Sequence, residues 1–318
     1  MSTPFDTPID ITDEAFVGPW RSPRQMLAAQ EYDSHASIHD DATAQKLGFK
    51  GGTIEGPTHF SQFVPLCVAA WGARWLEHGC LSAHYRNPCF EGDRVRAFLA
   101  KPAAGEQRAA IWMQREDGTE VLRGTASIGP EHPRTALDER LTELRPPEPR
   151  VILRDVEIGM RSPRISVQMD PDQHMGSLYP FSLADKLKVI TENSPWYSQP
   201  SATPWRRAII PFEMISVLLN YSTWSVQFPV KTPVIGLFAD QEIRLLAGPL
   251  FVGEPYEIER EVVALSGSRR TESMWVRTRV FRPGTNELLA TMLLNSAYLK
   301  DSYPNYQADL AAIGGNGE

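Results

Sequence analysis

Residues 87–95 read NPCFEGDRV, and residues 248–256 read GPLFVGEPY. Both carry the pattern Pro-x-Phe-x-Gly-acidic, and β-rich segments follow each. In the second half YEIEREVVAL, the turn SGSRR, ESMWVRTRVF, the turn RPGTN and ELLATMLLNSAYL follow in order. In the first half they are RAAIWMQRE, the Asp117-Gly118 hairpin signal and TEVLRGTASIG. Runs of β-branched and aromatic residues punctuated by Gly and Pro are the pattern of antiparallel strands. A repeated order of signals predicts a chain written twice.

Upstream of each pattern lies a long apolar segment, HFSQFVPLCVAAWGARWLEHG over 59–79 and PFEMISVLLNYSTWSVQF over 211–228. Both are apolar on most faces, which predicts helices wrapped by a sheet, near 60–75 and 212–224. Pro65 predicts a kink in the first, or a helix that begins after His59. A third repeated signal is RSPR at 21–24 and 161–164, each soon after a glycine (Gly18 and Gly159). Between the halves, residues 129–150 are rich in Pro and charge around an amphipathic core from Thr135 to Leu144. The organisation expected is an N-terminal unit over 1–130, a linker with one short surface helix over 131–150, a C-terminal unit over 151–300 and a frayed tail over 301–318.

With 318 residues and 42% hydrophobic content the chain can bury a large core. A formal charge of −7 and the absence of like-charge runs argue against a nucleic-acid partner and for small molecules. Cys67, Cys80 and Cys89 are odd in number and lack C-x-x-C spacing, so neither a disulfide framework nor a zinc knuckle is indicated, and a cytoplasmic setting is expected. No signal peptide and no apolar stretch of about eighteen residues is read, so no membrane association is expected. No metal or redox cofactor is expected, because no P-loop, no G-x-G-x-x-G after a strand and no ligand-spaced Cys/His set occurs.

A long helix wrapped by an antiparallel sheet, the stretch Gly48-Phe49-x-Gly51-Gly52-x-Ile54 leading into it, and the Pro-x-Phe-x-Gly-Asp strand entry resemble the MaoC-like, R-specific enoyl-CoA hydratase family. The duplication resembles its double-hotdog members, an α+β fold in which two hotdog units in one chain form what others build as a homodimer. The resemblance implies a hydratase or dehydratase acting on a 2-enoyl-CoA or 3-hydroxyacyl-CoA-like thioester, with CoA or a carrier protein as part of the substrate. It leaves a homodimer of this chain as an expected assembly. Two alternatives remain open: a hotdog thioesterase, and an acyl-thioester or small-ligand binder.

The stretch YDSHASIHDDATAQKLGF, residues 32–49, corresponds to that family's catalytic loop, approximately D-x-N-P-x-H followed by Asp, a helical turn and Gly-Phe. Hydration needs a base that takes a proton from water and an acid that protonates the α-carbon, work that Asp and His can divide. Asp33 takes the Asp position, His35 the Asn and Ala36 the Pro, while Ile38 falls where His belongs. A local insertion brings in His39, making Asp33 and His39 the dyad expected. Asp40 and Asp41 favour the start of the following helix. The second half offers TENSPWYS, with Glu192 at the Asp position, Ser194 at Asn, Pro195 at Pro and Tyr197 at His. Glu192 and Tyr197 are a second candidate pair, or Trp196 and Tyr197 are cavity wall.

The family's His-Gly-Met at the helix start, whose Gly N–H polarises the thioester carbonyl, corresponds to Gly56-Pro57-Thr58 and Pro211-Phe212-Glu213. Proline has no N–H, so Gly56 or Thr58 would donate in the first half and Phe212 in the second. Glu55 and Glu213 lie near where hotdog thioesterases place a carboxylate. Arg86, Arg206 and Arg207 are candidate contacts for CoA phosphates.

Overall fold

The computed structural model describes residues 4–32, 35–146, 149–225 and 227–314. The first half runs β1 (Asp10–Ile11), β2 (Ala15–Val17), the small hairpin β3 (Glu31–Tyr32) and β4 (His35–Ala36), and α1 (Asp41–Lys46). A 3-10 helix (Gly56–Phe63) continues into α2 (Val64–Trp71) and α3 (Trp75–His78), followed by β5 (Gly79–Tyr85), β6 (Val95–Ala100), β7 (Arg108–Arg115) and β8 (Glu120–Ile128). After α4 (Ala136–Leu141) the second half has β9 (Ile165–Val167), α5 (Leu183–Leu187), α6 (Phe212–Asn220), β10 (Gly236–Leu245), β11 (Tyr256–Gly267), β12 (Thr271–Phe281), β13 (Leu288–Leu299) and α7 (Tyr306–Gly314).

Eleven strands form one antiparallel sheet in the order β1-β2-β6-β7-β8-β5-β10-β13-β12-β11-β9. From β2 inward to β5, and from β9 inward to β10, the order is the same, so the halves are related by a pseudo-two-fold axis at the β5–β10 join. There Ser82 pairs with Glu242 and Leu81 with Ile243. The expected two units, each a helix with its own sheet joined edge to edge, are therefore present. All nine residues of α6 are buried, as expected for a helix the sheet wraps. In the first half the Pro65 effect is a change of helix type: the chain is 3-10 to Phe63 and α from Val64. Phe212 of α6 lies 6.2 Å from Phe60 and 5.0 Å from Trp75, ring centre to ring centre, so an aromatic cluster binds the helices of the two halves. Burying such a side chain contributes roughly 1.5–3 kcal/mol.

The Pro-x-Phe-x-Gly repeat is a true structural equivalence. Gly92 and Gly253 both adopt positive φ, 89° and 77°, at the turn into β6 and β11, a conformation that disfavours any side chain. Ile54 N–H donates to Cys89 O and Ile210 N–H to Leu250 O, at 2.7 and 2.8 Å, so Gly56 is equivalent to Phe212 and Pro57 to Glu213. This is one residue away from the correspondence expected from sequence. The RSPR repeat is a coincidence. Arg21 bridges Val95, whose counterpart Tyr256 pairs with Val167; Arg161 instead bridges Glu261, the counterpart of Ala100.

Two further expectations are corrected. The linker helix α4 is part of the join: Thr135 Oγ1 donates to Glu242, Asp138 and Arg140 pair with Arg244 and Asp240 of β10, and Leu137 is buried against Trp275 and Leu293. The tail is not frayed as far as it is described. Tyr303 and Tyr306 are buried, Tyr306 Oη donates to Glu272, and Lys231 pairs with Asp309 of α7.

Candidate functional site

Residues 38–59 and β5 bring polar groups of the first half to a cavity of about 290 Å³, which Gly236, Leu237, Phe238, Arg270 and Thr271 of the second half also line. His39, Thr53, Glu55, Gly56, His59 and Tyr85 line it. The local fold explains His39. Asp40 caps α1 by accepting from Thr43 N–H, so the helix begins after the histidine, and the turn closed by Asp40 N–H to Ser37 O holds His39 beside Thr53. Its Nδ1 lies 2.5 Å from Thr53 O, so Nδ1 carries the proton and Nε2 keeps its lone pair. Desolvation pushes the imidazole pKa down, to about 4, against the raising effect of the Thr53 carbonyl, so His39 is neutral at pH 7.

Glu55 precedes the 3-10 helix and is buried. Desolvation raises its carboxyl to about 7; the Lys186 ammonium and the Tyr179 hydroxyl, 3.3 Å from Oε1, oppose that rise, and the carboxylate of Glu213 adds to it. Lys186, on α5, lies 3.2 Å from Glu213 Oε1 and 3.3 Å from Thr58 Oγ1. Burial also raises the Glu213 carboxyl. One buried ammonium facing two buried carboxyls favours holding one of the two protonated. Glu55 is the member of the pair that reaches the cavity. His59, 1% exposed, is kept neutral, its pKa lowered to about 4 by desolvation and by Lys186, and its Nδ1 has no partner among the described residues.

Of the two expected first-half carbonyl donors, Thr58 N–H is taken by Glu55 O at 3.1 Å. Gly56 N–H stands at the first helical position, where a helix supplies no acceptor. A side chain at Gly56 would meet the Tyr85 ring at 2.5 Å, which requires glycine there. Tyr85 Oη donates to Gln241 of β10, tying the cavity wall to the join between the halves.

Asp33 lies outside the described residues, and His35 is described through its backbone, paired with Tyr32 in the β3–β4 hairpin. Arg86 lines the cavity while paired with Glu120, whereas Arg206 is exposed away from it at φ 52° and Arg207 stacks on Phe251. Phe212 is core, between Phe60 and Trp75, and does not line the cavity.

The second-half loop is corrected in the same way. Glu192 is bound by Arg21, with Nε to Oε1 at 2.7 Å and Nη2 to Oε2 at 3.2 Å, and accepts from Thr7 Oγ1. Tyr197 packs edge-on against Phe5, its hydroxyl pKa raised by burial and by the carboxylates of Glu213 and Glu192; Ser194 Oγ donates to Pro4 O. Trp196 packs against Trp205. Pro4, Phe5 and Thr7 thus contact Ser194, Tyr197 and Glu192 respectively. Sequence reasoning missed His59, Tyr85 and Lys186. His59 was legible as the polar residue opening an apolar helix, but nothing local pairs Lys186 with a glutamate 27 residues on. Among the described residues no three His, Cys, Asp or Glu side chains are placed to hold a metal, and no helix is long and apolar enough to cross a membrane.

No protein-family model and no curated protein matches the chain. Among solved structures it is similar to a protein from Chloroflexus aurantiacus described as a MaoC domain dehydratase, at 13% identity and a TM-score of 0.54, over 93% of this chain and 95% of that one. It is also similar to Rv0216 of Mycobacterium tuberculosis, described as having a double hotdog fold, at 11% identity and a TM-score of 0.53, over 91% and 97% of the two chains. The likeness establishes the double-hotdog fold.

Proposed function

We propose that the first-half cavity hydrates a 2-enoyl thioester, or dehydrates the 3-hydroxyacyl thioester, with CoA or a carrier protein as the thiol part and no further cofactor. The observation that carries this reading is one cavity holding a neutral imidazole with an unprotonated Nε2 and a carboxyl whose pKa is about 7, beside a helix-start N–H. His39 Nε2 takes a proton from water as its oxygen adds to the β-carbon, and the Glu55 carboxyl gives its proton to the α-carbon. Gly56 N–H donates to the carbonyl oxygen, where negative charge develops in the enolate. The imidazolium then returns its proton through solvent to the Glu55 carboxylate, and dehydration runs the same steps in reverse. Asp33, six residues before His39 in the sequence, is a further candidate acid or base.

The position of Glu55 favours one second reading, a thioesterase in which this carboxylate directs water at the carbonyl. Incubation with crotonyl-CoA separates the two. Loss of the enoyl absorbance without release of free thiol is expected; thiol release with the enoyl group intact would favour the thioesterase, and neither change would oppose both.

A further inference from the structure

The inward face of β11 presents Tyr256, Ile258, Arg260 and Val262, all buried; Tyr256 and Ile258 join the core that holds α6, and Arg260 reaches the Leu219 carbonyl at the end of α6. The equivalent inward positions of β6 are Val95, Ala97 and Leu99, by the register of the two glycine turns. Arg260 therefore stands where the first half has Leu99, and it is 3% exposed where Leu99 is fully buried. An arginine at a core position is costly to fold unless its charge is answered. Here the answer is partial. Nη2 donates to Leu219 O at 2.7 Å and to Ser222 Oγ at 3.0 Å, at the C-terminal end of α6, while Nε and Nη1 have no partner among the described residues. Burial lowers the guanidinium pKa to about 10, which leaves it charged at neutral pH.

Arg260 lines a second cavity of about 190 Å³, whose other walls include Phe228, Val234, Met274, Val276, Met292 and Leu294. The described lining adds uncharged polar side chains such as Asn220, Gln227 and Thr278 to that apolar wall and includes no carboxylate, so among the described residues the cavity combines an apolar wall with a cation whose Nε and Nη1 donors are unanswered. We propose that this second cavity is a binding site for a carboxylate carried on an apolar stem, the carboxylate accepting from Arg260 and the stem lying along the methionine and valine wall. The two cavities share Gly236, Leu237 and Phe238 as wall. The carboxylate thus has two sources: a free short-chain acid, or the distal end of an acyl group whose thioester lies in the first cavity. The proposal does not rest on the chemistry assigned to His39 and Glu55.

Calorimetric titration tests it with hexanoate against 1-hexanol, which share a stem and differ in charge, and with adipoyl-CoA against hexanoyl-CoA. Hexanoate is expected to bind the intact chain at least about tenfold more tightly than hexanol, and Arg260→Leu to remove that difference. The variant restores the first-half residue, so its melting temperature should not fall. Tighter binding of adipoyl-CoA than hexanoyl-CoA, lost in Arg260→Leu and competed by hexanoate, assigns the carboxylate to the acyl group. Hexanoate binding unaffected by either thioester assigns it to a free acid. Equal binding of hexanoate and hexanol, with no preference for adipoyl-CoA, would overturn the proposal, and this comparison needs no variant. So would a hexanoate preference that survives in a folded Arg260→Leu protein.

Discussion

The segments that lead into the central helices of the two halves leave their polar side chains in different surroundings. In the first, His39 and Glu55 line a cavity, with a neutral imidazole and a carboxyl that gives up its proton near neutral pH. In the second, Glu192 has both oxygens engaged by Arg21 and Thr7, and Tyr197 lies under Phe5. Position in a repeat therefore does not assign chemistry. What separates the two pairs is whether the side chains face a cavity or are answered by the protein's own side chains.

The comparison breaks most severely at Lys186, the cation held between the halves. Lys186→Met leaves Glu55 and Glu213 buried without it, and a loss of about 3–5 kcal/mol in unfolding free energy is expected at pH 8 by denaturant titration. A loss below about 1 kcal/mol would mean the carboxyls do not depend on that charge.

Glu55→Gln sharpens it next. The Glu55 pKa is raised from 4.5 to about 7, so the folded state keeps a proton that the unfolded chain releases. Its contribution to stability is present below pH 4.5 and is lost as pH rises through 7. The shift corresponds to roughly 3 kcal/mol. Relative to the wild type, the variant should gain about that much between pH 4 and pH 8; parallel stability curves would contradict the buried carboxyl. In activity, with His39 as base and Glu55 as acid, kcat/KM should be bell-shaped, with an acid limb below the usual imidazole value and an alkaline limb near 7.

Smaller effects belong to the second half. Glu192→Ala strips the partly exposed Arg21 of its partner and should cost about 2 kcal/mol in thermal or denaturant unfolding, with turnover per folded molecule unchanged. Tyr197→Phe keeps the ring against Phe5 and should change stability by less than about 1 kcal/mol and turnover by less than about twofold.

Much of the fold was legible because it is local. Alternating strands and the glycine turns at Gly92 and Gly253 need no distant partner to be recognised. Of the residues singled out in the sequence, His39 and Gly56 line the first cavity. What sequence could not give was set by contacts across the chain. Glu192 and Tyr197 read as a dyad because Arg21 and Phe5 are far away in sequence, and the pKa of Glu55 depends on Lys186 from the other half. Arg260 was readable as the charged residue on the inward face of an alternating strand, and was passed over because charges in strands usually face water.

The most direct test compares His39→Gln and Glu192→Gln for crotonyl-CoA hydration at equal concentrations of folded protein. The account predicts a fall in kcat/KM of about 100-fold or more for His39→Gln and of no more than about threefold for Glu192→Gln. Near-normal activity in His39→Gln with Glu192→Gln inactive would place the chemistry in the second half and contradict it.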